Sequence, residues 1–271
     1  MSAENLLQLK KINKVFSRGT VDEVKALNNI NLEVKAEDYI TVIGSNGAGK
    51  TTMLNVVGGV FPPERGGKIV VADVNVTGLS EYKRAAYVGR VYQDPNIGTA
   101  AKMTIEENLA MAVLRGKSRG LRAASNKQLR EEFREALAPL KLGLENRLNA
   151  LVGTLSSGQR QAVALVMATI SRPSLLLLDE HSANLDPRTA QIVLELTEMI
   201  VKREKITTLM VTHNMELALR YGNRLIMMHE GRIVVDLNHE QRTGLTINDL
   251  ITAFERASGS KFNEDELLLR G

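Results

Sequence analysis

The stretch YITVIGSNGAGKTT (39–52) joins a short apolar run to a glycine-rich turn and then to a helix-forming segment. The turn carries the spacing of a phosphate loop, at Gly44, Gly49, Lys50 and Thr51. In such a loop the backbone N–H groups surround a β-phosphate, the lysine reaches the β- and γ-phosphates and the threonine hydroxyl binds Mg²⁺. The stretch predicts an α/β fold that binds a nucleotide. The alternative is a glycine-rich surface turn with a solvated lysine.

The whole loop is therefore the candidate nucleotide-binding segment. It comprises Gly44, Ser45, Asn46, Gly47, Ala48, Gly49, Lys50, Thr51 and Thr52.

Length and composition are those of an ordinary globular protein. The 271 residues are enough to bury a substantial core, and 44% of them are hydrophobic and 24% charged. The chain has no cysteine, which excludes disulfides, iron–sulfur ligation and thiol catalysis and agrees with a reducing compartment. Its 35 basic and 31 acidic residues give a formal charge of +4, which is too balanced to indicate nucleic-acid binding.

The sequence contains neither a membrane span nor a secretory signal. No apolar run approaches the roughly 20 residues that cross a bilayer. The start MSAENLLQLKK (1–11) lacks the long apolar segment of a signal peptide. We therefore expect a cytoplasmic protein.

The first part of the chain is rich in runs typical of β-strands. Turn residues separate LQLKKINKVF (7–16), INLEVKA (30–36), YITVIG (39–44) and KIVVADVNV (68–76). These runs predict a mixed sheet.

A helical pattern follows. TIEENLAMAVLRG (104–116) begins with a threonine cap and glutamates in the first turn, and LREEFREALAPLKLG (129–143) has apolar residues three and four apart. These segments predict a helical insert. Beyond it, SLLLLDE (174–180) and TTLMVTH (207–213) are suited to buried parallel strands, and PRTAQIVLELTEMIVKRE (187–204) predicts a helix between them.

The end of the chain predicts a hairpin and one helix. RLIMMHEGRIVVDL (224–237) turns at Glu230-Gly231, and the segment from Thr246 onward resembles one capped helix followed by a frayed tail.

Polar residues follow two of the predicted strands. Asp179 and Glu180 end one of them, and His213 follows the next. The carboxyl ends of strands are where α/β sheets bind ligands. Asp179 would hold Mg²⁺, Glu180 would orient or deprotonate an attacking water, and His213 would contact the γ-phosphate or position that water. Solvated strand ends and a structural histidine are the alternatives. The four histidines show no zinc-type spacing.

A second anion-binding turn opens LSSGQRQAVALVMATI (155–170). The start of a helix presents unpaired backbone N–H groups and a positive dipole end. Because the phosphate loop already supplies one cradle, a second receptor requires a second phosphate or a second subunit.

The segments GSNGAGKT, LSSGQRQ, LLLLDE and VTHN, in this order, resemble the nucleotide-binding subunit of an ABC transporter over nearly the whole chain. The resemblance implies ATP and Mg²⁺ as cofactors and a second copy as partner, with two subunits joined head to tail. Ser156 and the N–H group of Gly158 would then contact the ATP held by the other subunit, with Gln159 close by. Gln93 would join Mg²⁺ and the attacking water to the helical insert, the alternative being a polar loop residue. Phe16 would stack on adenine, the alternative being a core residue of an edge strand.

Three further places bear on this resemblance. Asn184–Asp186 resemble the segment that crosses the dimer interface. Ser157 stands where the family usually has a glycine. If that position needs an unusual backbone angle, we expect serine there to slow ATP hydrolysis. His181 stands where proline is commoner, and we assign it no catalytic role. The retained Glu180 and His213 argue against an inactive ATPase.

The resemblance also implies the domain organisation. A single ABC ATPase domain spans 1–271 and has the P-loop NTPase, RecA-like fold. The RecA-like core and an N-terminal antiparallel β subdomain occupy 1–94 and 160–245, a helical signature subdomain occupies 95–159, and a C-terminal helix and tail occupy 246–271.

The function that this resemblance implies is ATP hydrolysis that powers transport. The subunit would sit on the inner face of the cell membrane and act through separate integral membrane permease subunits, which it would contact between Gln93 and Leu114. A solute-binding protein would be an indirect partner, and the sequence resembles importers of amino acids or similar small solutes. The alternatives are a soluble ABC ATPase for remodelling or assembly, and a slow ATP-gated binding module.

Overall fold

The structure is a computed structural model that describes residues 5–116 and 127–259. Its β-strands are β1 (Asn5–Phe16), β2 (Val24–Lys35), β3 (Tyr39–Gly44), β4 (Lys68–Val71), β5 (Val74–Asn75), β6 (Val88–Val91), β7 (Leu175–Asp179), β8 (Thr207–Val211), β9 (Arg224–His229) and β10 (Arg232–Leu237). Its α-helices are α1 (Lys50–Gly58), α2 (Glu81–Arg84), α3 (Pro95–Gly98), α4 (Ile105–Val113), α5 (Lys127–Leu137), α6 (Ser157–Thr169), α7 (Pro187–Glu204), α8 (Met215–Arg220), α9 (His239–Arg242) and α10 (Ile247–Ser258).

The described residues divide into two compact units. Unit 1 takes its residues from Met1–Glu81 and Thr207–Gly271, and unit 2 takes them from Tyr82–Ile206. The subdomain boundaries at 94/95 and 159/160 that the resemblance implies stay predictions. Among the described residues, no helix is both long and apolar enough to cross a bilayer.

The central strand of unit 1 is β3. It pairs in parallel with β8 on one side and with β9 on the other, and β10 pairs antiparallel with β9. The first five residues of β3 and all five of β8 are buried. Such continuous apolar runs are typical of parallel strands that are covered on both faces. The two strands predicted at 39–44 and 207–213 are confirmed.

A second, antiparallel sheet in unit 1 has the order β2-β1-β4-β5. This sheet confirms the N-terminal antiparallel β subdomain that the resemblance implies. Of the early runs, the one at 39–44 lies in the other sheet, where β3 pairs with β8 and β9, so the four runs do not form one mixed sheet. The run 68–76 is also not one strand. Ala72 and Asp73 have φ angles of 47° and 63°, which turn it into the hairpin of β4 and β5.

The predicted hairpin and C-terminal helix are confirmed in unit 1. Glu230 and Gly231, with φ angles of 44° and 72°, connect β9 to β10. Thr246 caps α10 through a capping box with Asp249, and Phe254 of this helix is buried in the core beside β3 and β9. The predicted tail beyond residue 259 lies outside the described residues.

Unit 2 contains the parallel pair β6 and β7 and several helices. Thr104 and Glu107 form the capping box that starts α4, as predicted. The helix predicted over 129–143 instead ends at Leu137, because Pro139 follows in a 3₁₀ turn and has no N–H group to continue the helix. Helix α7 begins at Pro187 and ends at Glu204, as predicted, with Asp186 as its N-cap.

Candidate active site

The phosphate loop connects the end of β3 to the start of α1. Gly49 occupies the N-cap position with a φ of 96°, and a Cβ atom there would overlap the Ala26 carbonyl oxygen. Only glycine satisfies both conditions. Within the described residues, no side chain caps the start of α1, and its first turn holds no acidic residue. The positive end of this helix is therefore suited to an anion.

Lys50 is held inside the loop. Lys50 is only 6% exposed, and its Nζ atom donates to the carbonyl oxygens of Gly44 (2.6 Å) and Ser45 (3.0 Å). The ammonium group is thus fixed beside the loop by the loop's own backbone. This arrangement places a positive charge where the sequence predicts the β- and γ-phosphates.

The remaining loop residues differ in exposure. Asn46, Gly47 and Thr51 are exposed, Ser45 and Thr52 are half-buried, and Ala48 is buried. The N–H group of Ala48 donates to the Ser45 carbonyl, and the Ala48 carbonyl accepts from Gly231 of the β9–β10 hairpin, each at 3.1 Å. The loop is therefore anchored on one side and open on the other.

His213 lies at the same sheet edge as the phosphate loop. Val42 of β3 is opposite Val211 of β8 in a parallel register, so Gly44 and His213 each follow two residues later. The next residue, Asn214, caps α8 by accepting from the Leu217 N–H group at 3.0 Å. The structure thus brings together the phosphate loop and His213 within unit 1.

Unit 2 brings together Gln93, Asp179 and Glu180. Val91 of β6 is opposite Leu178 of β7, so Gln93 and Glu180 lie at the same edge, two residues beyond this pair. Gln93 is exposed, Glu180 is half-buried and Asp179 is 6% exposed. Glu180 has a left-handed backbone with a φ of 43°. This conformation costs a non-glycine residue about 1–2 kcal/mol.

Arg90 is a neighbour of Asp179 that the sequence motifs do not include. Its Nη2 atom lies 3.3 Å from Asp179 Oδ2, and the two side chains are only 10% and 9% exposed. The guanidinium carbon lies 4.4 Å from the centre of the Tyr92 ring. An arginine within the short strand VGRV (88–91), whose other members are apolar or glycine, is the signal that would have revealed it.

The signature turn (Leu155–Gln159) opens α6, as predicted. Ser156 is the N-cap, and its Oγ accepts from the Gln159 N–H group at 3.3 Å, while Gln159 Oε1 accepts from the Ser156 N–H group at 3.3 Å. Ser156 is exposed. Ser157 is the first residue of the helix and has no positive φ, so the unusual backbone angle that would have penalised serine is absent at this described position.

Gly158 in the signature turn packs closely against α7. A Cβ atom at this position would overlap the Thr189 Cγ2 methyl group. The Thr189 N–H group donates to Asp186 Oδ1 at 3.1 Å, which fixes the first turn of α7 just after the predicted interface segment 184–186. The backbone of α6 at Gly158 therefore packs against the Thr189 side chain in the first turn of α7.

Phe16 lies at the end of β1 opposite Val24. Its ring meets the Phe61 ring edge to face, with centroids 5.2 Å apart, and Lys14 Nζ lies 5.4 Å from its centre. The ring is half-buried. Its stacking on adenine stays a prediction.

His181 is buried and belongs to the packing behind Glu180. It is 2% exposed, and its Nε2 lies 3.0 Å from Thr197 Oγ1. The Thr197 hydroxyl already donates to the Val193 carbonyl at 2.8 Å, so its oxygen accepts and Nε2 carries the proton. Burial lowers the pKa of His181 from 6.5 to about 4. This packing role agrees with the absence of a catalytic assignment.

We expect His181 to make the protein less stable in mild acid. Between pH 6.5 and pH 4 the unfolded chain binds a proton at this residue and the folded chain does not, so acidification through this range favours unfolding. At pH 5 the loss is about 2 kcal/mol. His181→Gln keeps an N–H donor but does not titrate. Urea unfolding at pH 7.5 and pH 5 should show the wild type losing about 2 kcal/mol more than this variant. Equal losses would contradict the lowered pKa.

Comparison with known proteins places these features in a family. The model of the family described as ABC transporter matches residues 27–183. The "Tyrosine transport ATP-binding protein" of Clostridioides difficile is 40% identical over 252 residues, which cover 93% of this chain and 100% of that protein. The "Methionine import ATP-binding protein MetN" of Bartonella henselae is 34% identical, with 86% of this chain and 65% of that protein covered.

A solved structure agrees with these relatives. It is the dimeric post-hydrolysis state of the ATP-binding cassette MJ0796 bound to ADP and Pi, which is 27% identical to this chain and has a TM-score of 0.73. The match covers 86% of this chain and 98% of the other. The P-loop NTPase α/β fold is therefore confirmed. The chain binds ATP, and its activity is ATP hydrolysis coupled to transport. It belongs to the ABC transporter family, as an ATP-binding subunit of the importer type.

Proposed function

We propose that two copies of this chain, joined head to tail, hydrolyse ATP with Mg²⁺ and thereby drive the import of an amino acid. The observation that carries the choice of solute class is the 40% identity to a tyrosine transport ATP-binding protein over that protein's whole length. The hydrolytic roles rest on the residues at the carboxyl ends of β3, β6, β7 and β8.

The residues of unit 1 suit the triphosphate. The N–H groups of the phosphate loop, from Gly44 to Thr52, bind the β-phosphate, and the Lys50 ammonium binds the β- and γ-phosphates. His213, at the same sheet edge, donates to the γ-phosphate. Phe16 stacks on the adenine ring. The loop is open at Asn46 and Gly47, which leaves room for the nucleotide.

The predicted metal ligands fit Mg²⁺ by their chemistry. Thr51 offers a hydroxyl group, Asp179 a carboxylate and Gln93 an amide oxygen, and hard oxygen ligands are those that Mg²⁺ prefers. When bound, Mg²⁺ offsets the negative charge of the β- and γ-phosphates.

Glu180 acts on the attacking water. Its carboxylate orients the water and accepts its proton as the oxygen bonds to the γ-phosphorus. The bond from that phosphorus to the bridging oxygen of the β-phosphate breaks at the same time, which leaves ADP and inorganic phosphate. Lys50 and the loop N–H groups stabilise the charge that develops on the leaving oxygen.

The signature turn serves the nucleotide of the partner copy. Ser156 is exposed at the positive end of α6, where it and the N–H group of Gly158 bind the γ-phosphate held by the other subunit, with Gln159 close by. The segment 184–186 crosses the same interface. The MJ0796 cassette, whose solved structure is dimeric, supports the association of two copies.

Exposed apolar side chains in unit 2 suit a membrane partner. Ile97, Met111, Leu114 and Leu151 are 66%, 43%, 39% and 46% exposed, and three of them fall in the predicted contact segment 93–114. A contiguous patch of exposed apolar side chains marks a protein interface. We assign them to integral membrane permease subunits on the inner face of the cell membrane, with a solute-binding protein as the indirect partner.

Copurification and uptake together test this function. The chain, tagged in its native cell and extracted in mild detergent, should copurify with a polytopic membrane protein in stoichiometric amount. Cells that lack the chain should lose uptake of labelled tyrosine, and the wild-type chain but not Glu180→Gln should restore it. Recovery of soluble proteins alone would contradict the transporter and favour a remodelling ATPase. Loss of methionine uptake instead of tyrosine uptake would change the solute within the amino-acid class.

A further inference from the structure

A buried cation lies against the carboxylate that the proposed function assigns to Mg²⁺. We propose that Arg90 is a positioning residue: it holds Asp179 in the nucleotide-free chain and yields it to Mg²⁺ when the nucleotide binds. This inference rests on the proposed role of Asp179 as a metal ligand.

The environment of Asp179 explains why a cation is placed there. The residue is only 6% exposed, and an ionised carboxylate that is removed from water is costly unless a charge or hydrogen bonds compensate it. Arg90 supplies a charge that is always present, since a guanidinium group does not lose its proton in proteins. The guanidinium group therefore balances this charge and holds the carboxylate in place before Mg²⁺ arrives.

The contact is of a kind that can be exchanged. Arg90 touches Asp179 through Nη2 alone, at 3.3 Å, although a guanidinium group can form two parallel bonds to a carboxylate. Its Nε and Nη1 atoms are buried and have no hydrogen-bond partner among the described residues. A single, long contact is weaker than the paired arrangement and is more readily given up to a divalent ion.

Tyr92 gives the guanidinium group a second attachment. The guanidinium carbon lies 4.4 Å from the centre of this ring, well within the distance at which a cation is attracted to an aromatic face. Arg90 can therefore release Asp179 and remain stacked on Tyr92. Its charge then still opposes that of Mg²⁺, so the wild-type chain binds Mg²⁺ less tightly than a chain without this cation would.

The test compares Arg90→Met with the matched control Arg90→Lys. Methionine keeps an unbranched stem and removes the charge, whereas lysine keeps the charge. A fluorescent ATP analogue is titrated into each variant in EDTA and again in saturating Mg²⁺. The Mg²⁺ factor is the Kd in EDTA divided by the Kd in Mg²⁺. We expect this factor to be roughly tenfold larger in Arg90→Met than in the wild type, and unchanged in Arg90→Lys.

Thermal unfolding without nucleotide provides a second readout. In EDTA, Arg90→Met should melt about 5 °C below the wild type, because Asp179 has lost its ion pair with Arg90 of β6. Adding Asp179→Asn to Arg90→Met should recover most of the lost melting temperature. It should also return the Mg²⁺ factor to a value no larger than that of the wild type. If Arg90→Met does not fold, recovery in the double variant still supports the proposal, and a double variant that also fails to fold overturns it.

Failure of this inference can be told apart from failure of the proposed function. A wild-type chain that does not bind the ATP analogue with Mg²⁺ would contradict the proposed function itself. A wild-type chain that binds it, together with an Mg²⁺ factor in Arg90→Met no larger than that of the wild type, would overturn only the role of Arg90.

Discussion

Glu180→Gln is expected to lower the rate of ATP hydrolysis by about 10²–10⁴-fold and to leave ATP affinity unchanged. Glutamine has nearly the same shape as glutamate, so it occupies the same half-buried position with the same left-handed backbone. It cannot accept the proton that the attacking water must lose. The rate is measured as phosphate release under saturating ATP, and the affinity by titration with ATP under conditions of slow turnover.

Glu37→Gln is the matched control for this prediction. Glu37 is an exposed glutamate that also has a left-handed backbone, with a φ of 65°, and it precedes the amino end of β3, away from the phosphate loop at the other end of that strand. The same change at this residue should leave turnover at the wild-type level. Unchanged turnover in Glu180→Gln would remove Glu180 from its assigned role.

Lys50→Ala is expected to weaken ATP binding by about 10- to 100-fold, in contrast to the rate effect at Glu180. The variant loses the ammonium group that the carbonyl oxygens of Gly44 and Ser45 hold beside the loop. Calorimetric titration with ATP measures the loss, and Lys25→Ala, at an exposed position in β2, is the control for removal of a lysine. Equal affinity in Lys50→Ala and the wild type would show that the phosphate-loop assignment is wrong.

The same variant tests the shared site. A dimer of Lys50→Ala with Ser156→Ala contains one site in which both residues are changed and one in which both are intact, if the subunits pair head to tail. Mixing the two variants should therefore give a higher ATPase rate than either variant alone. An absence of recovery at every mixing ratio would contradict the pairing.

The features that the sequence predicted well are local in the chain. The phosphate loop, the capped start of α6 and the whole of α7 depend on residues within one or two turns of each other, so their signals are visible in a short window. The first half of β2, residues 24–29, was not predicted because its apolar and polar residues alternate less regularly than those from residue 30 onward. The prediction extended α5 past its end at Leu137 because the apolar spacing continues to residue 143, although Pro139 cannot continue a helix.

The part of the site that escaped prediction depends on distant pairs. Arg90 and Asp179 are 89 residues apart, and only the parallel register of β6 and β7 brings them together. The stacking on Tyr92 is closer in sequence, but its meaning depends on that ion pair. Likewise, the sequence identified His181 as a departure from the family, and only its burial against Thr197 showed a packing role.

The contact between Gly158 and Thr189 restricts the order in which the two positions can change during evolution. A methyl group at residue 158 overlaps the Thr189 methyl, whereas the rest of the Thr189 side chain lies no closer than 3.6 Å. Replacing Thr189 by serine removes the obstructing methyl group. The backbone N–H group at 189 can still donate to Asp186 Oδ1. While the Thr189 side chain keeps this rotamer, a lineage can acquire alanine at 158 without a clash only after position 189 has lost its methyl group. We therefore expect substitutions at positions 158 and 189 to occur together in related sequences, with the change at 189 first.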